Sequence, residues 1–396
     1  MSFKSNKNPM FRSKFSEDIF NLKYAHAGCE TWEQLCCVLV DDVCGDYRHD
    51  EHKLMTDDEL FQLKQYMIDL KFVPGGRYLY YAGRKNRFYN NCFLLKAEED
   101  TRQDWANLSW SSESCLMTGG GIGVDYSVYR ERGRVLNGTG GTASGPVPKA
   151  AMINEIGRRV MQGGSRRSAI YASLNWQHGD VQEFMTAKDW DTMPVGNTGF
   201  TLKQIKEQDF NFPAPLDMTN ISINYDTAWL LDYWKTGKVG DVFLQNVRQA
   251  LRTAEPGFSF NFFDDEQDTL RNACTEVVSS DSHDCCNLAS INLGRVESQS
   301  EFRDIVQLGI KFLMCGTLRA HLPYEAVYKT REKNRRLGLG LMGIHEWLIK
   351  RGSKYEVTPE LHRWLSIYKK QADKTAKEYA DELSISRPVA NRAIAP

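Results

Sequence analysis

The stretch Asn272-Ala273-Cys274-Thr275-Glu276 carries an amide, a thiol and a carboxylate at every second position. In an extended segment residues two apart point to the same side, so these three side chains would share one face. Such a set can hold a polyol. Asn donates and accepts hydrogen bonds, Glu serves as a base, and Cys supplies a nucleophile or a sulfur radical. The spacing by itself is equally that of a surface turn or strand with an ordinary cysteine.

Further along, Cys285-Cys286-Asn287-Leu288-Ala289-Ser290-Ile291-Asn292-Leu293 sets a thiol pair just before an apolar strand. Adjacent cysteines rarely bond each other, because the closing ring is strained. A zinc site would draw on Cys274, His283, Cys285 and Cys286, but their spacing matches no standard ligand knuckle, and no metal site is expected. Glycine is dense in TGGGIGVDYS and NGTGGTASGPVP, and Arg166-Arg167 follow a glycine pair. Missing side chains let a ligand approach the backbone, and planar guanidinium donors suit a phosphate or a base. Turn chemistry and a solvated basic patch account for the same residues. GGGIGV lacks the G-x-G-x-x-G order that opens a dinucleotide-binding helix, and there is no P-loop.

These residues need elements to position them. From Glu17 to about Gly76, TWEQLCCVLVDDV and DDELFQLKQYMIDLKF repeat apolar positions at three- and four-residue intervals, which predicts a small helical region over 1–76. Pro74-Gly75-Gly76 ends it, and FYNNCFLLKA reads as a buried strand. A helix is expected over Lys149–Gln162, a strand at AIYASLNW, and helices over 225–254 with a break near Gly237 to Gly240. From Glu301 onward, through KNRRLGLGLMGIHEWLIKRG, the chain reads as helices. The rhythm is α/β, with a second, larger domain over 77–396.

The chain has 396 residues, 41% apolar and 26% charged, enough for a sizeable core. A formal net charge of -1 gives no basic field, so direct DNA binding is not expected. The opening residues lack the apolar core of a secretory signal, and no stretch approaches the roughly 20 apolar residues that span a bilayer. A cytoplasmic location is therefore expected, with the ten cysteines mostly thiols.

Taken together, FVPGGR, NNCFLL, GGGIGVDYS, GTGGTASGP, GGSRRSA, NACTE, CNLASINL and KNRRLGLGLMGIHEWL, in this order from Phe72 to Gly343, resemble the ribonucleotide reductase catalytic subunit family. The resemblance implies a ten-stranded α/β barrel of two five-stranded halves, here partial, preceded by the helical region. It implies that Cys274 becomes a thiyl radical at the tip of a central finger loop and abstracts the ribose 3′ hydrogen. Glu276 would deprotonate the 3′ hydroxyl, Asn272 would bond the sugar hydroxyls, and Cys92 and Cys286 would supply two electrons and become a disulfide. Asn91, Gly120 and Gly121 match substrate positions. Glu99, Asp100, Arg132, Arg166 and Arg167 match positions near the loops, Arg132 to Gly138 and Gly163 to Ala169, that read a dNTP or ATP effector. Cys29, Cys36, Cys37, Cys44, Cys115 and Cys315 match no catalytic position and are expected to be structural.

The activity so implied is reduction of ribonucleoside di- or triphosphates to deoxyribonucleotides for DNA synthesis. A noncatalytic nucleotide-binding fragment of a split reductase is the alternative. Two departures stand out. Ala273 and Thr275 occupy positions where the common family string has Pro and Gly, and Arg392 to Pro396 resembles the start of a segment that continues into a substrate phosphate loop. A missing C-terminal half is therefore an expected partner, beside a thioredoxin-like reductant and a second copy in a homodimer. GTGGTASGP and KNRRLGLGLMG resemble most the compact adenosylcobalamin-dependent subgroup, which the short amino-terminal region fits, so that cofactor is expected. A ferritin-like metal subunit is the other radical source the family offers.

Overall fold

The computed structural model describes residues 11, 13–46, 53–136, 138, 140–160 and 168–393. In chain order the helices are α1 (Lys14–Lys23), α2 (Trp32–Val43), α3 (Asp57–Ile68), α4 (Gly76–Tyr81), α5 (Arg102–Met117), α6 (Pro146–Arg159), α7 (Val181–Thr186), α8 (Leu202–Gln208), α9 (Thr227–Thr236), α10 (Asp241–Thr253), α11 (Gln299–Arg319), α12 (Glu325–Asn334), α13 (Ile344–Ile349) and α14 (Pro359–Glu382). The strands are β1 (Phe72–Pro74), β2 (Cys92–Lys96), β3 (Gly121–Asp125), β4 (Ile170–Asn175), β5 (Thr219–Tyr225), β6 (Gly257–Phe260), β7 (Leu270–Arg271), β8 (Val278–Ser279), β9 (Asp284–Asn292) and β10 (Leu337–Met342). Among the described residues no helix is long and apolar enough to cross a membrane.

Two compact units divide the chain. One runs from Cys92 to Asp284; the other combines the residues up to Asn91 with those from Cys285 onward.

In the Cys92–Asp284 unit, β2 to β6 form a wholly parallel sheet in sequence order. Its register sets Cys92 beside Gly121, Gly123 beside Tyr171, Tyr171 beside Asn220, and Ser222 beside Gly257. Because strand side chains alternate, the sheet has two unlike faces. One is apolar: Phe93, Leu95, Ile122, Val124, Ile170, Ala172, Ile221 and Ile223 are buried on it. There α6 comes so close that a Cβ on Gly157 would overlap Ile170 Cδ1. The other face is small and polar, with Gly121, Gly123, Tyr171, Ser173, Asn220, Ser222, Asn224 and Ser259. A parallel sheet is ordinarily apolar on both sides. A polar side marks a surface built for something other than a core.

The other unit is mainly helical. Thr31 with Gln34 and Thr56 with Glu59 form capping boxes that start α2 and α3, so the helices read from the apolar spacing have defined beginnings. α11 packs along α14, where Phe302 meets Trp364 at 5.1 Å between ring centroids. In this unit β9 pairs antiparallel with β1 and parallel with β10. β10 corrects an expectation: LGLGLM, read above with the helices, is a strand. Gly338 lies against Leu288 on β9, where any Cβ would overlap that side chain, so the glycines that weaken a helix admit close strand packing.

Candidate active site

Within the Cys92–Asp284 unit, β7 and β8 form a short antiparallel hairpin with Leu270 opposite Ser279 and Arg271 opposite Val278. Its loop carries Asn272, Cys274 and Glu276. The three do not form the strand face expected from their spacing. Thr275 N donates to Asn272 O at 3.0 Å and Thr275 has φ 69°, so the segment turns tightly at its tip. The turn separates the side chains: Asn272 is wholly buried, Cys274 is exposed, and both carboxylate oxygens of Glu276 are buried without a hydrogen-bond partner among the described residues.

The hairpin lies on the polar face of the sheet. A Cβ on Gly123 would overlap the carbonyl oxygen of Arg271 and stand 2.7 Å from its carbon; one on Gly121 would be 3.3 Å from the Ala273 Cβ. Asn220 Nδ2 donates to Ala273 O at 3.4 Å. Asn272 Nδ2 donates to the sulfur of Cys92 at 3.3 Å, while Asn272 Oδ1 accepts from Val277 N at 3.0 Å. The space beside Gly121 is thus taken by Ala169 and Ala273, and Gly120, also buried, donates through its N–H to Thr118 Oγ1 at 3.4 Å.

Around the hairpin, Asn224 Oδ1 and Asn261 Nδ2 are buried polar atoms with no partner among the described residues, while the Tyr171 hydroxyl faces the hydroxyls of Ser222 and Ser259. Burial pushes the Tyr171 phenol above its ordinary value. Arg271, whose Nη2 donates to Asn261 Oδ1 at 2.7 Å, is pushed below its own by burial. Buried polar groups are nearly always bonded, so such orphans beside an exposed thiol fit a ligand rich in hydroxyls. The sequence carried this signal in YASLN and TNISINY, where polar residues recur at every second position. Tyr171, Asn224, Ser259 and Arg271 were not singled out there.

Cys286 and Asn91 belong to the other unit. Cys286 is fully buried on β9, and its carbonyl accepts from Asn91 N at 3.0 Å. Asn287 anchors that strand by donating to the Tyr78 hydroxyl at 2.7 Å, Leu313 O at 2.9 Å and Thr317 Oγ1 at 3.1 Å. Asn91 Oδ1 is another buried acceptor without a partner among the described residues. Of the remaining cysteines, Cys29, Cys36, Cys44, Cys115 and Cys315 are buried and Cys37 is half-buried.

The residues matched to effector contacts fall differently. Asp100 lines a cleft of about 500 Å³ with Trp105, Tyr129, Arg130, Leu136 and Ser144, and its carboxylate accepts from Arg130 N at 3.1 Å and from Arg130 Nε. Trp105 meets Tyr129 edge-on at 4.8 Å. Arg132 is not part of this cleft: its N–H donates to Asp180 at 2.8 Å and its guanidinium pairs with Glu183 at 2.5 Å. Glu99 N donates to Asp104 Oδ2 at 2.9 Å. Arg166 and Arg167 lie outside the described residues, as do residues 394–396.

The family described as "Ribonucleotide reductase, barrel domain" matches residues 90–204 and 233–368. The chain is 26% identical over 341 residues to a vitamin B12-dependent ribonucleoside-diphosphate reductase of Thermoplasma acidophilum, covering 82% of this chain and 44% of that protein. A vitamin B12-dependent ribonucleoside-diphosphate reductase of Mycobacterium tuberculosis is 27% identical over 305 residues, 73% of this chain and 42% of its own. The ribonucleoside-diphosphate reductase large subunit of Caenorhabditis elegans is 24% identical over 309 residues, 67% of this chain and 39% of its own. This chain therefore spans less than half the length of these relatives. The barrel-domain match takes in more than half of the chain, and the chain belongs to the ribonucleotide reductase family.

Proposed function

We propose that this chain carries the thiyl-radical part of a ribonucleotide reductase, acting on ribonucleoside di- or triphosphates to make deoxyribonucleotides for DNA synthesis. The observation that carries the reading is the finger hairpin. Its exposed thiol and its buried carboxylate, without a hydrogen-bond partner among the described residues, stand two positions apart in a single loop, on a sheet face lined with polar groups. Cys274, as a thiyl, takes the 3′ hydrogen of the ribose and becomes a thiol. Glu276 accepts the 3′ hydroxyl proton, and Asn272 keeps the hairpin in place beside Cys92. The 2′ hydroxyl leaves as water. Cys92 and Cys286 give up two electrons and two protons in becoming a disulfide, and the hydrogen held by Cys274 returns to C3′.

An exposed Cys274 sulfur at the tip of the loop fits a radical source that must reach it from outside the hairpin. Adenosylcobalamin, when bound, would supply the radical chemistry that turns the Cys274 thiol into a thiyl; relatives named for vitamin B12 support it over a ferritin-like metal subunit. The cleft at Asp100, Trp105 and Tyr129 is the site we assign to a dNTP or ATP effector, since it joins aromatic walls to Arg130. A thioredoxin-like protein would reduce the disulfide, in the cytoplasm, and a polypeptide corresponding to the rest of the relatives would complete the enzyme, as a homodimer or otherwise.

The test is deoxycytidine nucleotide formation by the chain with that completing polypeptide, dithiothreitol and adenosylcobalamin. Product is expected, and Cys274→Ser is expected to abolish it while effector binding persists. Binding without turnover under every radical source would instead establish a noncatalytic nucleotide-binding fragment.

A further inference from the structure

Behind the cleft lies a lysine that neither the reaction nor the proposed effector contacts use. Lys149, on the first turn of α6, is fully buried. Its amine donates to the carbonyl oxygen of Trp105 and to the hydroxyl of Ser109, one turn apart on α5, and stands 5.0 Å from the centroid of the Trp105 ring. Trp105 lines the cleft and Lys149 does not. A single amine thus fastens α5 to α6 and fixes the backbone and the ring of the residue that forms the aromatic wall.

An ammonium taken out of water is costly unless a counter-charge meets it. None does here. The charged groups on the packed elements are Arg102, Asp104 and Glu113 on α5, Glu155, Arg158 and Arg159 on α6, Lys96 on β2 and Asp125 on β3. Asp104 accepts from Glu99 N, Glu155 pairs with Arg158, Asp125 accepts from Ser127, and Glu113 is exposed. Burial alone acts on the amine, and it pushes Lys149 down to about 8. The phenol of Tyr129, the other aromatic wall, is pushed up by burial and stays neutral.

We infer that Lys149 is the positioning residue of the effector cleft, holding Trp105 as a stacking wall, and that its proton is linked to occupancy of the cleft by a nucleotide. The inference rests on reading the cleft as a nucleotide site. A polyanion brought near favours the charged amine, and a charged amine beside the indole favours the ring geometry it holds. Binding then takes up a proton wherever the amine is partly neutral, so affinity falls as pH rises through the region of 8.

Two measurements test this, using the whole chain. The first needs no ligand: the fluorescence difference between the protein and Trp105→Phe is followed against pH. It is expected to show an inflection near pH 8 that Lys149→Met and Lys149→Arg both lack, the one uncharged and the other charged throughout. A flat difference curve in the unaltered protein would overturn the inference. The second is calorimetry of dATP binding at pH 8 in two buffers of different ionisation heat. Proton uptake is expected in the unaltered protein and none in either variant, with Lys149→Met binding roughly two- to fivefold more weakly at pH 7. Equal proton uptake in Lys149→Met would overturn the linkage. Failure of dATP to bind any of the three at any pH would overturn the nucleotide reading of the cleft and the linkage with it, whatever the fluorescence shows.

Discussion

The side-chain amide of Asn272 donates to the sulfur of Cys92 across 3.3 Å, joining residues 180 positions apart, while its oxygen accepts from Val277 N. One side chain therefore both closes the finger loop and ties it to the first strand of the sheet. Asn272→Ala removes both bonds and leaves the Val277 N–H buried without its acceptor, a loss of about 1–3 kcal/mol in chemical denaturation. Asn272→Asp keeps the acceptor for Val277 but sets a carboxylate against the thiol. Because a neighbouring negative charge disfavours the thiolate, alkylation of Cys92 by iodoacetamide is expected to slow roughly tenfold in that variant. Unchanged alkylation would mean that the amide does not govern the sulfur.

Gly123 makes room for the hairpin, since a Cβ there would overlap the Arg271 carbonyl oxygen. The obstacle is backbone, which cannot rotate away. Gly123→Ala is expected to displace the hairpin and cost more than about 3 kcal/mol, with new proteolysis between Arg271 and Val278. Gly121→Ala meets Ala169 O at 3.0 Å and the Ala273 Cβ at 3.3 Å, contacts that a small shift relieves. It should cost about 1 kcal/mol, and equal losses in the two variants would refute this ranking.

What the sequence showed, and what it hid, follows from where each feature is determined. The helices α2 and α3 were legible because Thr31 with Gln34 and Thr56 with Glu59 act locally. β2, β4 and β9 were legible as strands, and the candidate chemistry of Asn272, Cys274 and Glu276 as residue types. The shape of that loop was not: threonine rarely adopts positive φ, and the hairpin is held by Gly123 and Cys92, far away in sequence. LGLGLM was read as helix because glycine and leucine alternate without the branched residues of a usual strand. Lys149 gave no sign, since a lone lysine on a helix ordinarily faces water.

Thr275 has φ 69° at the tip of the finger, where a β-branched side chain is strained and glycine is not. Its side chain is exposed, so little packing is lost on removing it. Thr275→Gly is expected to raise stability by about 1 kcal/mol in urea denaturation. A decrease would mean that the Thr275 side chain holds the turn by a contact worth more than the strain.

Lys149 gives the fold a pH dependence whose sign is set by burial. Its amine is held at about 8 in the folded protein against an ordinary 10.5, so the charged form opposes folding. That penalty is complete below pH 8 and is relieved as pH rises from 8 toward 10.5. Lys149→Met never has it. The variant should therefore exceed the unaltered protein in stability at pH 7 by on the order of 2 kcal/mol, and the gap should narrow by pH 10. A gap that is constant across this range would assign the difference to packing rather than to the proton.

Glu276 presents the opposite economy, in which function is retained at the expense of stability. Both its carboxylate oxygens are buried with no hydrogen-bond partner among the described residues, so the ligand-free protein leaves two polar atoms without a bond to offset their burial. Such a group persists where a ligand is to meet it. Glu276→Gln keeps the shape and removes the charge, and it is expected to stabilise the protein by about 1 kcal/mol. The same change removes the base for the ribose hydroxyl, so turnover should fall by about 10²-fold or more, with dATP binding unaltered. Stability and turnover moving in opposite directions is what separates a base awaiting its substrate from a structural carboxylate, whose loss would lower both.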